Sequence, residues 1–276
     1  MVNSEADGIS RLLVPGGTGP VFVHSDLLQT ASLLSIRTGR AEMLGAHMDL
    51  LRLATGGRPL WMPAFNYDFP KTREFDVCNT PSQVGVLPEH FRRRVATWRS
   101  PVPVFSFSGE GDGFDIPLDA EIEPFGRQSG FSELVRRDAV ILFYGAPFES
   151  VTIIHHAEHV ATPLYRYDKT FTGKVILPDG IHRDIKLRFH VRPRGKEFDY
   201  NWPYLRDELC KDGFLHCGEG PLRTVLVMSA RKFVGKLESL MKRDPFSLLD
   251  DVTREWAEAS VNRLGRRLQI EDFEQD

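Results

Sequence analysis

Between Val21 and Phe65 a strand, a helix and a second strand follow one another, and this order constrains the fold more than any other feature of the chain. Val21 to His24 is a short β-branched and aromatic run ending in polar residues, the pattern of a buried strand. Arg40 to Ala54 sets Met43, Leu44, Met48, Leu50, Leu51 and Ala54 mostly on one helical stripe, and Gly56 and Gly57 supply the stop. Leu60 to Phe65 reads as strand again. A crossover longer than a dozen residues joins parallel neighbours, so the segment predicts an α/β domain.

Further elements fit that class. Ala139 to Gly145 is the clearest buried strand, and Thr152 to Ala161 has helical composition with Thr152 near its cap. Gln83 to Arg94 reads as a short helix whose closing Arg92, Arg93 and Arg94 suit a C-terminus. Glu110 to Gly130, acidic and rich in Gly and Pro, reads as a long surface loop. Leu177-Pro178-Asp179-Gly180 is a turn joining Lys174 to Ile176 with Ile185 to Arg192 as a hairpin. In the second strand Ile185, Leu187, Phe189 and Val191 alternate with Lys186, Arg188, His190 and Arg192, so the polar set is expected in water. Phe233, Val234, Leu237, Leu240 and Met241 mark one face of a later helix.

Composition excludes several classes. At 276 residues, 41% hydrophobic and 26% charged, the chain can bury a full-sized core and is not disordered. A net charge of −3 shows no excess for nucleic acid. Its longest apolar runs fall short of the roughly 20 residues that cross a bilayer. Met1 to Gly19 lacks the basic start and unbroken apolar run of a secretory peptide. Cys78, Cys210 and Cys217 include no Cys-x-x-Cys pair and suit a reducing compartment, so a cytoplasmic protein is expected, with no membrane partner.

The densest chemical cluster is Ile154-His155-His156-Ala157-Glu158-His159, placed after a buried strand where open α/β sheets put their ligand crevice. On a helix His155, Glu158 and His159 share a face, and His156 points about 100° away. Three readings stay open on the residues alone. His155 as a general base would sit in the first turn, where the helix dipole keeps imidazole neutral, with Glu158 orienting the ring. His155 and His159 have zinc-compatible spacing, although no third ligand is signalled. The histidines could also merely fill polar positions.

Four separated segments resemble the aminoglycoside 3-N-acetyltransferase family, coenzyme A dependent acyltransferases. Phe22-Val23-His24-Ser25-Asp26-Leu27 is similar to its amino-terminal Val-His-Ser-Ser-Leu element, and Pro63-Ala64-Phe65-Asn66-Tyr67-Asp68-Phe69 to Pro-Thr-Phe-Thr-Tyr-Asp-Phe. Phe75-Asp76 with Asn79-Thr80-Pro81-Ser82-Gln83-Val84-Gly85 resembles Phe-Asp and Asn-Thr-Pro-Ser-x-Val-Gly, ahead of Arg99-Ser100. Thr152 to Glu158 resembles Asn-Thr-Ser-x-His-x-Ala-Glu.

The resemblance implies a layered α/β/α sandwich with a mixed central sheet. One domain over residues 1–276 is expected, with an irregular lead at 1–19 and a charged helical tail at 250–276. It further implies His155 as the catalytic histidine with Glu158 beside it, acyl-CoA as co-substrate and no metal. By the family pattern His24, Ser25, Asp26, Leu27, Thr80, Ser82, Val84, Gly85 and Arg99 line the cofactor path, with Arg99 available for phosphate. Tyr67 and Asp68 fall on the acceptor side. A monomer or homodimer is expected.

The resemblance implies an amino-sugar acceptor. Val102 stands where drug-modifying members carry a histidine, and Val151 and Ile153 replace an Asn and a Ser of the catalytic segment. Pro103 to Phe107 resembles relatives that acylate nucleotide-linked amino sugars, so that acceptor is read first and an aminoglycoside second. Lys71, Arg73, Arg166, Arg188, Arg192, Tyr165 and Tyr167 are the candidate diphosphate and base partners. The acidic run Glu110, Asp112, Asp115, Asp119, Glu121 and Glu123 favours a polycation instead.

Overall fold

A computed structural model describes residues 2–34 and 39–274. In chain order its strands are β1 Val21–Ser25, β2 Leu60–Pro63, β3 Glu74–Asp76, β4 Trp98–Arg99, β5 Phe107–Gly109 and β6 Glu121–Ile122. They continue as β7 Val140–Tyr144, β8 Tyr167–Ile176, β9 His182–Val191, β10 Leu215–Cys217 and β11 Val225–Ser229. The helices are α1 Val2–Leu13, α2 Leu27–Thr30, α3 Arg40–Thr55, α4 Phe69–Thr72 and α5 Val86–Arg94. After them come α6 Gly130–Arg136, α7 Ile154–Ala161, α8 Trp202–Lys211, α9 Ala230–Arg243 and α10 Asp251–Leu264.

Among the described residues the large sheet runs β10-β11-β7-β1-β2-β5-β4. β1 is parallel to both β2 and β7, and every other pairing is antiparallel, so the sheet is mixed as expected. Period-two alternation divides its side chains between two cores. Phe22, Trp61, Ile141, Phe143 and Met228 face α6, α7, α8 and α9, whereas Val23, Met62, Leu142, Tyr144 and Val227 face α1, α3 and α5. Burial on both faces explains why these strands read as continuous apolar runs.

A second sheet, β3-β8-β9-β6, lies over a core of its own. The hairpin is far longer than its apolar signal, pairing Tyr167 with Val191 through to Ile176 with His182. Its alternation holds at Ile185 and Leu187 and then fails, because His190 is buried. The lead is not irregular either. Val2 to Leu13 is helical, with Ala6, Ile9 and Leu13 packed under the large sheet at helical spacing.

Two caps also differ from expectation. Thr152 makes no cap bond for α7, since its hydroxyl is turned to the Ser150 carbonyl, and α5 begins at Val86 rather than Gln83. The α-helix of the tail ends at Leu264, where Gly265 closes α10 in a left-handed conformation, and a single 3-10 turn follows at Ile270–Asp272. Beyond α10 Arg267 pairs with Asp168, and Glu274 accepts from Tyr167 and Lys169, fastening the chain end along β8.

The chain leaves β1 toward β2 on one side and returns to β7 on the other, so the order reverses at the C-terminal end of β1. Such a reversal opens a crevice. Gly145 makes its wall possible: it holds φ +78°, and a Cβ there would collide with the Asp26 carbonyl oxygen. Gly145→Ala is therefore expected to cost at least about 1–3 kcal/mol from backbone strain alone, read as a lowered urea midpoint with an unchanged slope.

Candidate active site

The crevice holds a cavity of about 360 Å³ lined by His24, Ser25, Asp26, Pro63, Phe65, Tyr67 and Val84 on the β1 and β2 side. Ala146, Pro147, Glu149 to Thr152, Ile154, His155, Tyr200 and Trp202 close the other. His155 reaches it because α7 starts directly behind the loop that follows β7. Ile154 and Ala157 anchor that helix in the core, and Glu158 is sealed beneath with no exposed surface.

Every lone pair of Glu158 is engaged. Its Oε1 accepts from Arg166 Nε at 2.9 Å and from the Tyr165 hydroxyl at 3.0 Å. Its Oε2 accepts from the Tyr200 hydroxyl at 2.7 Å and pairs with His155 Nδ1 at 3.0 Å, with His190 Nε2 3.4 Å away. Burial alone would raise this carboxyl group, but the Arg166 charge and the histidine bonds outweigh it and hold the group well below the usual range. Arg166, buried over the Phe198 ring at 4.2 Å, is raised by the same partnership against its own desolvation.

An ionised carboxylate only accepts, so His155 Nδ1 carries the ring proton and the lone pair falls to Nε2. That nitrogen takes no hydrogen bond from the described residues, and the 28% exposure of the side chain opens onto the cavity. Burial lowers the imidazole, with the Glu158 bond opposing and Arg166 adding to the shift, so the ring is neutral at pH 7. The base chemistry read from the sequence has the geometry it requires.

The zinc reading does not. His159 turns from the cavity toward Glu123, 3.7 Å away, while His156 Nδ1 bonds the Phe125 carbonyl at 2.7 Å. His155, Glu158 and His190 do converge within 4.8 Å, but Arg166 already supplies the positive charge at that filled carboxylate.

Of the residues expected along the cofactor path, His24, Ser25, Asp26 and Val84 line the cavity. His24 is buried, stacks on Phe143 and is depressed to about 4 by desolvation. Asp26 caps α2 by accepting from Leu28 N, and Leu27 is packed in the α3-side core. Thr80, Ser82 and Gly85 stand behind the wall. Thr80 Oγ1 accepts from Asp76 N, Ser82 N donates to Glu89, and Gly85 lies over the Ser25 carbonyl.

Arg99 has no free phosphate-binding edge. It donates to the carbonyls of Ala64, Val77 and Thr80 and to Ser106 Oγ, over the Phe75 ring at 4.7 Å. It fastens the 76–83 segment behind the cavity. On the acceptor side Tyr67 lines the mouth, whereas Asp68 accepts from Asn66 and Gln83 and stays outside.

The cations weighed for a diphosphate are elsewhere. Arg166 is in the Glu158 cluster, Arg188 pairs with Glu121, Glu123 and Asp168, and none of Lys71, Arg73 and Arg192 lines the cavity. Tyr165 is bonded to Glu158 and Tyr167 to Glu274. Asp26 and Glu149 face the cavity with no Lys or Arg among its described lining residues. Sequence reasoning missed Tyr200, Trp202 and His190. The aromatic run Phe198 to Trp202 was the available signal for the first two, and His190 was hidden in a regular alternation.

The sequence pattern of the aminoglycoside 3-N-acetyltransferase family matches residues 57–242. The chain belongs to that family. Aminoglycoside N(3)-acetyltransferase VII of Streptomyces paromomycinus is 39% identical over 124 residues, 42% of this chain and 41% of that protein, so the match spans less than half of the relative. The fold is also that of AAC-IIIb solved as a binary complex with CoASH, with TM-score 0.69 and 21% identity over 88% of this chain and 97% of that one. Aminoglycoside acetyltransferase AAC(3)-IVa in complex with a gentamicin gives 0.67 and 22% over 91% and 96%. The first and third of these relatives carry aminoglycosides in their names, so the nucleotide-linked acceptor read first is not supported and the second reading stands better.

The buried histidines make stability fall on acidification. An unfolded chain protonates imidazole near 6.5, whereas folded His24 and His190 stay neutral down to about 4, so the unfolded state binds more protons in between. Stability is expected to decline as pH drops through that window, by up to about 1.4 kcal/mol per pH unit for each histidine. Urea midpoints at pH 7, 6, 5 and 4.5 will show it, and His190→Gln should flatten the slope.

Proposed function

We propose that the chain moves an acyl group from an acyl-CoA to an amine of an aminoglycoside-type amino sugar by direct transfer, with His155 as general base. The observation carrying this reading is a neutral imidazole whose Nδ1 is tied to Glu158 and whose Nε2 faces a cavity walled by Asp26 and Glu149. A polycationic acceptor is drawn to such walls. The acidic loop contributes less than its sequence implies, because Glu121 and Glu123 are paired with Arg188 and Glu110 with Arg52.

In the reaction a neutral amine nitrogen attacks the thioester carbonyl carbon while its N–H proton passes to Nε2 of His155. The carbon–sulfur bond breaks, the new amide forms, and the imidazolium returns the proton to the departing sulfur. Nδ1 keeps its proton throughout, held by Glu158. His24, Ser25 and Val84 flank the thioester end, and Phe65, Val151 and Ile154 supply an apolar wall for the acyl chain. Support for the thiol comes from the CoASH bound in the related AAC-IIIb structure.

Free-thiol release from several acyl-CoAs, measured against aminoglycosides and uridine-diphosphate amino sugars, tests the reading. Turnover is expected with the former, and His155→Ala should lose roughly 10²–10⁴-fold in kcat while calorimetry still detects CoA binding. Full activity in that variant would remove His155 from the mechanism, and turnover confined to the nucleotide sugars would overturn the acceptor.

A further inference from the structure

We propose that Tyr200 is a positioning residue that keeps the general base in its neutral, Nδ1-protonated form by sharing Glu158 with it. This rests on the reading of His155 just given. Tyr200 has one proton and two lone pairs to place, and its surroundings allow one arrangement. The hydroxyl donates to Glu158 Oε2 at 2.7 Å, because an ionised carboxylate can only accept. It accepts from Arg166 Nη2, which can only donate. The second lone pair then lies 3.2 Å from His155 Nδ1, so both atoms facing that nitrogen, Oε2 and the Tyr200 oxygen, are acceptors.

A proton on Nδ1 satisfies that geometry and a lone pair there does not. The tautomer with Nε2 free toward the cavity is therefore fixed by the pair rather than by Glu158 alone. The same hydroxyl also tempers the base. By donating to Oε2 it takes up part of the carboxylate's charge, which lessens the pull of Glu158 toward an imidazolium. Without it, Glu158 would bond His155 more strongly and hold it protonated to higher pH.

Other groups around the ring do not duplicate this role. From α7 itself come Glu158 and His159, and the segment after it supplies Tyr165 and Arg166. β9 contributes His190, 5.8 Å away between ring centres, and across the cavity stand His24, Asp26, Tyr67 and Glu149. Among the described residues only Glu158 and Tyr200 hydrogen-bond His155 Nδ1.

Tyr200 is also held rigidly enough for the task. It is 7% exposed, its ring packs against Trp202 and Phe198, and its backbone bridges Leu249, while Asn201 N donates to the Leu248 carbonyl. The segment preceding α10 thereby fixes a hydroxyl in the cavity wall.

The test is Tyr200→Phe, followed by the pH dependence of kcat/KM in the thiol-release assay and by NMR titration of the His155 imidazole. The acid limb and the imidazole titration are both expected to move up by about one pH unit, a tenfold loss of active base at low pH. Loss of packing alone would lower activity at every pH without moving either. Replacing Tyr200 with a fluorinated tyrosine keeps the shape and strengthens the donor, so it should shift both downward, and it serves if the Phe variant fails to fold. An unmoved imidazole titration in a folded variant overturns the proposal. Should the wild-type protein acylate no amine, the functional reading fails, and the NMR titration still decides the role of Tyr200.

Discussion

A carboxylate sealed from water has to be answered from within, and the partners of Glu158 tie together segments far apart in the chain. Arg166 and Tyr165 come from the approach to β8, His190 from the end of β9, and Tyr200 from the loop before α8. An isolated ion in that position would cost several kcal/mol, so the segment after α7, the hairpin and the C-terminal region are all held to one geometry. The free edge of His155 is then an outcome of that packing. Glu158 holds the ring by one nitrogen and leaves the other to the cavity.

The large sheet sets where this happens. Three parallel strands end at one edge, and the reversal of order around β1 leaves a crevice that no crossover helix fills. Gly145 lets the chain turn beside Asp26 without a side chain in the way, so the 146–152 segment can form a wall and deliver α7 at its rear. On the opposite side, Arg99 and Asp76 lock the 76–83 segment through backbone carbonyls and amides. Thr80, Ser82 and Gly85 thus shape the cavity from behind, and of that group Val84 reaches its surface.

Much of the fold was legible because it rests on local patterns. The runs Val21 to His24, Leu60 to Phe65 and Ala139 to Gly145 are apolar on both faces, and the stripe from Met43 to Ala54 has helical period. Each became the element its pattern implies. What escaped depended on distant partners. His190 looked solvent-facing within a regular alternation until the Glu158 cluster covered that end of the strand. Arg99 looked free for an anion, yet folding surrounds it with carbonyls from Ala64, Val77 and Thr80. The charge on the 110–123 loop looked like an attractive field, yet three of the six named acids are paired with Arg188 and Arg52.

By itself the sequence determined the α/β class, the parallel pairing of the first two strands and the position of the histidine segment behind a buried strand. Periodicity and short motifs act over one or two turns or a single strand, and they are readable wherever they occur. Only the tertiary structure decided which histidine faces the cavity, which nitrogen keeps the proton and which acids are left unpaired around it. Those properties depend on atoms tens of residues away in sequence brought within about 3 Å, because burial and hydrogen bonding, rather than residue type, set the charge and direction of an imidazole.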